Sequence, residues 1–197
     1  METSSSSKPV RFLQKMVRRV KQVLGGRDTQ SLKYFLNDRN AGEVQTIPVA
    51  DIPKMFENAE CFPDMNDKIQ SISVFRYVYH DSERTSRTYH AFVVFKTENM
   101  FYSIERDQIC ITLHRAKNYK YVACCPEEGV AGASYGVEET EWAEGCGTVG
   151  ELIDLVKDKV LNDKYHMFLR NCQHFSAYVY RKFNSEGKRF RMYRKKQ

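Results

Sequence analysis

Asn171, Cys172, Gln173 and His174 put a cap, a thiol, a carboxamide and an imidazole on four consecutive residues. An apolar stripe at helical spacing follows, made of Phe175, Val179 and Phe183 with Tyr178 beside them. Asparagine is a good N-cap because its side-chain oxygen accepts an otherwise unpaired amide of the first turn. Cys172 therefore falls on the first residue of an expected helix. The unpaired N–H groups there and the positive end of the helix dipole favour thiolate over thiol. A thiolate so placed can attack an acyl carbonyl and carry the acyl group as a thioester. The plainer alternative is a small buried cysteine that only packs.

Such a nucleophile needs a base from elsewhere in the chain. Five histidines are available: His80, His90, His114, His166 and His174. His174 follows the cysteine by two residues, about 200° around the helix axis, and so faces away from it. His80 borders a polar loop, His166 lies in the strand before the nucleophile, and His114 falls on the polar side of an alternating strand. His90 opens an otherwise apolar run, Tyr89 to Phe95, where an unsatisfied imidazole would be costly. It is the expected base. If Lys96 to Asn99 form a four-residue hairpin loop, Glu105 stands opposite His90 on the same face and orients its ring. A register shifted by two substitutes Ser103 or Asp107.

The elements that must position these groups are those of an α+β domain. Strands are expected near residues 69–79, 89–95, 100–106, 108–114 and 119–124, forming an antiparallel sheet of about 4–6 strands. The Gly- and Glu-rich stretch 126–147 suggests an acidic loop. Thr148-Val149-Gly150-Glu151 has capping-box spacing and opens a helix to about Leu161. A short strand over 165–169 then delivers the chain to Cys172. Residues 28–68, interrupted by Pro48, Pro53 and Pro63, suggest loops and short helices, one of them at Leu32, Phe35 and Leu36. The expected division is a basic amphipathic extension (1–27), this lead-in (28–68), a catalytic domain (69–185) and a basic tail (186–197).

Charge is unevenly spread. Residues 1–27 hold seven Lys/Arg against one Glu, and residues 181–197 hold eight against one. With a net charge of +6 overall, the acidic body between them carries −7. The basic amphipathic stretch 8–24 has three uses open to it: lying on an anionic membrane surface, docking on its own domain, or serving as a mitochondrial presequence. The tail 188–196 is a basic-aromatic run suited to the same kind of surface. Nucleic acid is not the expected partner, because no recognised nucleic-acid module accompanies the charge. The first residues lack the apolar core of a secretory signal, and none of the six cysteines forms a C-x-x-C pair. A cytoplasmic setting, free thiols, no metal and no cofactor are expected.

A strand histidine followed about eighty residues later by Asn-Cys-x-His-Phe at a helix start resembles the circularly permuted papain-like (NlpC-like) superfamily. Asn171-Cys172-Gln173-His174-Phe175 is most similar to the Asn-Cys-Glu-His-Phe motif of lecithin:retinol acyltransferase-like (LRAT-like) proteins. It is nearly as similar to the Asn-Cys-Asn-His-Phe-Ser of PPPDE-type isopeptidases, which Ser176 favours. The resemblance covers roughly residues 70–184. It implies Cys172 as nucleophile, His90 as base, and a phospholipid or related acyl ester as substrate, with a PPPDE-like cysteine isopeptidase or protease, or a catalytically inactive papain-like binding domain, as the alternatives. LRAT-like proteins usually carry a second histidine on the next strand, a place that Glu105 or a neighbour takes here. The aromatic residue that commonly follows the strand histidine is Ala91.

Overall fold

The computed structural model describes residues 27–28, 31–35, 44–57, 62, 64–78, 89–108, 110–123, 136–162, 164–165 and 171–187. The expected N-terminal helix, the basic tail, His80, His166, Cys61, Cys124 and Cys125 lie outside these residues. In chain order the elements are β1 (Arg27–Asp28), β2 (Ser31–Phe35), β3 (Val44–Pro48), a 3-10 turn (Val49–Asp51) and α1 (Ile52–Glu57). Next come β4 (Ser71–Val78), β5 (Tyr89–Lys96), β6 (Phe101–Arg106), β7 (Cys110–Ala116) and α2 (Tyr119–Val122). Last are β8 (Gly136–Glu144), α3 (Val149–Asn162), β9 (Lys164–Tyr165) and α4 (Cys172–Phe183).

The protein is α+β, with a seven-stranded sheet in the order β3-β2-β7-β6-β5-β4-β8 and a separate two-stranded pair, β1-β9. The sheet is mixed, because β2 runs parallel to β7 while its other neighbours are antiparallel. It is thus larger than the antiparallel meander expected from local patterns. Four segments account for the difference, the first being Val44–Pro48, which falls in the expected irregular lead-in but pairs with β2 as an edge strand. Ser31–Phe35 pairs with both β3 and β7, and long-range pairing overrides a short helical spacing. Residues 136–144 form an edge strand on β4 instead of a loop, since an edge tolerates charged side chains that a central strand would exclude. Residues 119–122 are a helical turn and not a strand, because the Asn118 side chain accepts the Lys120 amide at 3.0 Å and caps it.

Strand alternation sends two different sets of side chains to the two faces. One face, with Ile72, Val93, Phe95, Ile104, Ile111 and Leu113, packs against α3 and α4. Leu152 and Val156 come from α3, and Phe175, Val179, Tyr180 and Phe183 from α4. Phe95 and Phe183 meet edge to face at 5.5 Å. The other face carries a smaller apolar cluster of Phe75, Phe92, Val94, Ala116 and Val122, beside the polar His90 and Glu105. Tyr178 does not join the stripe of α4. It is 37% exposed, with the Lys159 ammonium 4.6 Å from its ring centroid.

Helix starts are built as their sequences require. Thr148 and Glu151 form the reciprocal box, with Thr148 N donating to Glu151 Oε2 at 3.0 Å and Glu151 N to Thr148 Oγ1 at 3.3 Å. The lead-in is tied to the sheet at Asp64, whose Oδ2 accepts from Arg115 Nε at 2.7 Å and from Tyr102 OH at 3.1 Å. Among the described residues, no helix is long and apolar enough to cross a membrane.

The hairpin between β5 and β6 sets the register that matters most. Thr97 N donates to Met100 O at 2.9 Å, and Thr97 Oγ1 accepts from Met100 N at 3.0 Å. Lys96 therefore stays in the strand and pairs with Phe101, so the loop runs from Thr97 to Met100. Every pairing then shifts by two from the expected one. Phe92, and not His90, stands opposite Glu105.

Candidate active site

Cys172 is the first residue of α4, and Asn171 caps it. The Asn171 Oδ1 accepts from the amides of Gln173 and His174, both at 3.1 Å. Those bonds satisfy two of the donors that a helix start leaves open. His174 is held at the cap, its Nδ1 2.7 Å from Asn171 Oδ1, consistent with the expected turn away from the thiol.

A gap in the sheet receives the thiol. The β5–β6 ladder begins at Phe92–Glu105, so Tyr89, His90 and Ala91 run beyond its last row. The β6 chain turns off there, with Asp107 N donating to Cys110 O at 3.1 Å and Asp107 Oδ1 accepting from Cys110 N at 2.8 Å. Backbone groups alternate along a strand, and Thr97 points its N–H across the hairpin toward β6. Tyr89 and Ala91, an even number of residues away, turn theirs the same way. The first turn of α4 fills the space. Ala91 N–H bonds to the Cys172 sulfur, which lies 4.0 Å from Tyr89 O, and Gln173 Nε2 donates to that same carbonyl at 3.1 Å.

In this gap the sulfur and the His90 imidazole are hydrogen-bonded to each other. The other contact of the ring is Glu105. Its Oε2 stands 2.8 Å from His90 Nε2, leaving Nδ1 as the nitrogen available to the thiol. All three side chains are mostly buried: Cys172 is 8% exposed, and the His90 and Glu105 side chains 17% and 8%. The structure thus brings together the three residues singled out for thiol chemistry, though by a diagonal contact instead of the expected opposed pair. Long side chains such as Glu and His can span that diagonal.

Burial opposes charge on both members of the Cys–His pair, and their contacts outweigh it. Burial alone would lower the His90 pKa. The hydrogen bonds to Cys172 and Glu105, with the charges of both, instead raise it to about 10. Burial would likewise push the Cys172 thiol up. The hydrogen bond and charge of His90, with the N–H groups of Ala91 and Gln173, bring it below the ordinary thiol value. The arrangement favours a thiolate–imidazolium pair, with Glu105 on the far side of the ring.

The backbone amides of Cys172 and Gln173, at the start of α4, are the candidate donors to an oxyanion. Gln173 N–H is shared with the cap oxygen, so the Cys172 N–H is the one the cap does not take. His114, on β7, pairs with Ser103, further along the sheet from the thiol than Glu105. One participant had no signal in the chain: the Tyr89 carbonyl, a backbone group that the side chain of the motif residue Gln173 meets. Cys110, Cys146 and Cys172 are free thiols.

Compared with family models, with curated proteins and with solved structures, the chain matches none. Side-chain chemistry alone has to say what this site does.

Proposed function

We propose that this protein is a Cys–His thiol acyltransferase or hydrolase that works through an acyl-thioester on Cys172. One observation carries the reading: at the capped start of α4 the Cys172 sulfur is hydrogen-bonded to the His90 imidazole, whose Nε2 lies 2.8 Å from Glu105 Oε2. The Cys172 thiolate attacks an ester carbonyl, and the carbonyl π electrons move onto oxygen beside the Cys172 N–H. The tetrahedral intermediate collapses, the ester C–O bond breaks, and imidazolium His90 protonates the leaving alkoxide. Neutral His90 then removes a proton from water or an amine as that nucleophile attacks the thioester. Collapse releases the acyl product and restores the thiolate. Glu105 keeps the ring oriented and stabilises its charged form throughout.

The substrate class proposed is a phospholipid or related acyl ester, following the similarity of Asn171 to Phe175 to the LRAT-like motif. Segments 8–24 and 188–196 would hold the enzyme, a cytoplasmic one, at an anionic lipid surface by summed weak attractions. Incubation with phosphatidylcholine vesicles followed by intact-mass measurement should show an added acyl group. The adduct should vanish in Cys172→Ala and persist in Cys146→Ala. Full acylation of Cys172→Ala would overturn the assignment. A second reading, cleavage of an isopeptide, has Ser176 in its favour, completing an Asn-Cys-x-His-Phe-Ser run and fully buried one turn below the thiol. Turnover of a ubiquitin-like conjugate panel, with no lipid adduct, would select it.

A further inference from the structure

The Gln173 carboxamide joins the two halves of the candidate site. Its backbone follows Cys172 directly, while its Nε2 donates at 3.1 Å to the Tyr89 carbonyl, one residue before His90. That carbonyl lies past the end of the β5–β6 ladder, where a strand partner would otherwise supply an N–H. Gln173 is 7% exposed, and an unpaired carbonyl in such surroundings is costly. A leucine of similar size would fill the space and leave the carbonyl without this donor.

We propose that Gln173 is a positioning residue whose carboxamide ties the β6-facing side of Tyr89 to α4 and so sets His90 against Cys172. The inference rests on the thiol-acyl reading above. Without the clamp, residues 89–91 keep their pairing with β4 but lose the carboxamide tie between Tyr89 and α4. The imidazole then drifts from the sulfur, and the thiol returns toward ordinary behaviour. Glutamate at this position gives a conditional clamp. Its protonated carboxyl can donate to Tyr89 O, while its ionised form presents oxygen to oxygen.

The test is the rate of iodoacetamide alkylation at Cys172 against pH, followed by peptide mass mapping of the full chain. The wild type should show a midpoint below that of an ordinary thiol. Gln173→Leu should raise this midpoint by about one unit or more, a tenfold loss of thiolate at a given acidic pH. Gln173→Glu should follow the wild type at low pH and fall away as its carboxyl ionises, adding an inflection that loss of packing would not produce. Should Gln173→Leu not fold, Gln173→Glu carries the test, because its low-pH form keeps the bond. Unchanged midpoints in both variants overturn the clamp and leave the thiol-acyl reading standing. An ordinary midpoint in the wild type overturns that reading, and the clamp with it.

Discussion

His90 reaches Glu105 across the diagonal of the sheet, Nε2 to Oε2 at 2.8 Å, while Phe92 occupies the directly opposed position. The contact draws the ring toward β6 and leaves its other nitrogen for the sulfur. A carboxylate here does more than accept a hydrogen bond, since its charge favours the imidazolium that the thiolate needs.

Glu105→Gln preserves shape and an accepting oxygen but removes that charge. The His90 pKa should fall from about 10, and acyl-enzyme formation should slow on the order of 100-fold. An NMR titration of the His90 ring and single-turnover acylation would check both. An unchanged titration would remove Glu105 from the machinery.

Activity should follow a bell-shaped pH profile. The acid limb reports formation of the thiolate–imidazolium pair and should lie below the ordinary thiol value of about 8.5. The basic limb reports loss of the imidazolium proton near pH 10. Stability follows the same signs. A raised His90 contributes fully below its unfolded value of about 6.5, and that contribution fades as pH rises through about 10. A lowered Cys172 contributes above its unfolded value and is lost as pH falls through its folded one. The two limbs belong to the pair and not to either residue singly. Acylation rates and melting temperatures across pH 5 to about 11, compared with Cys172→Ala, would test this.

Asn171→Ala removes the acceptor for two helix amides and for the His174 ring. A loss of about 1 kcal/mol is expected, seen as a melting temperature lower by about 2–4 °C. Asn171→Asp should keep the cap and the melting temperature. Its negative charge beside the thiolate should push the Cys172 thiol up, which separates capping from catalysis in one comparison of alkylation midpoints.

Gly145→Ala should destabilise the fold away from the site. A Cβ at residue 145 would stand 2.6 Å from the backbone oxygen and from Cγ2 of Ile69, where neither β8 nor the neighbouring segment can yield freely. The cost should be about 1–3 kcal/mol. Thermal melts should register it, while the Cys172 alkylation midpoint stays in place.

Much of the candidate site was legible because its cues are local. Asn171 before Cys172 announces a cap, and Thr148 with Glu151 announces another, since each pairing closes within one helical turn. His90 stood out as a polar residue opening an apolar strand. The N-terminal part of the sheet was less legible. Ser31–Phe35 carries a spacing that suits a helix, and only its two strand partners make it β2. The acidic run 136–144 was hidden for the same reason, since its pairing partner β4 lies more than fifty residues away.

From residue types and order alone came the candidate nucleophile, the candidate base, the start of α4 and an α+β class. Tertiary structure decided the seven-stranded mixed order and the two-residue shift that sets Phe92 opposite Glu105. It also decided the use of Tyr89 O as an anchor for Gln173. The division follows from range. Caps and side-chain periodicity are settled within a few residues of one another. Register depends on how Thr97 and Met100 close a turn, and the gap beside Ala91 exists only once β6 has turned away and α4 has packed into its place.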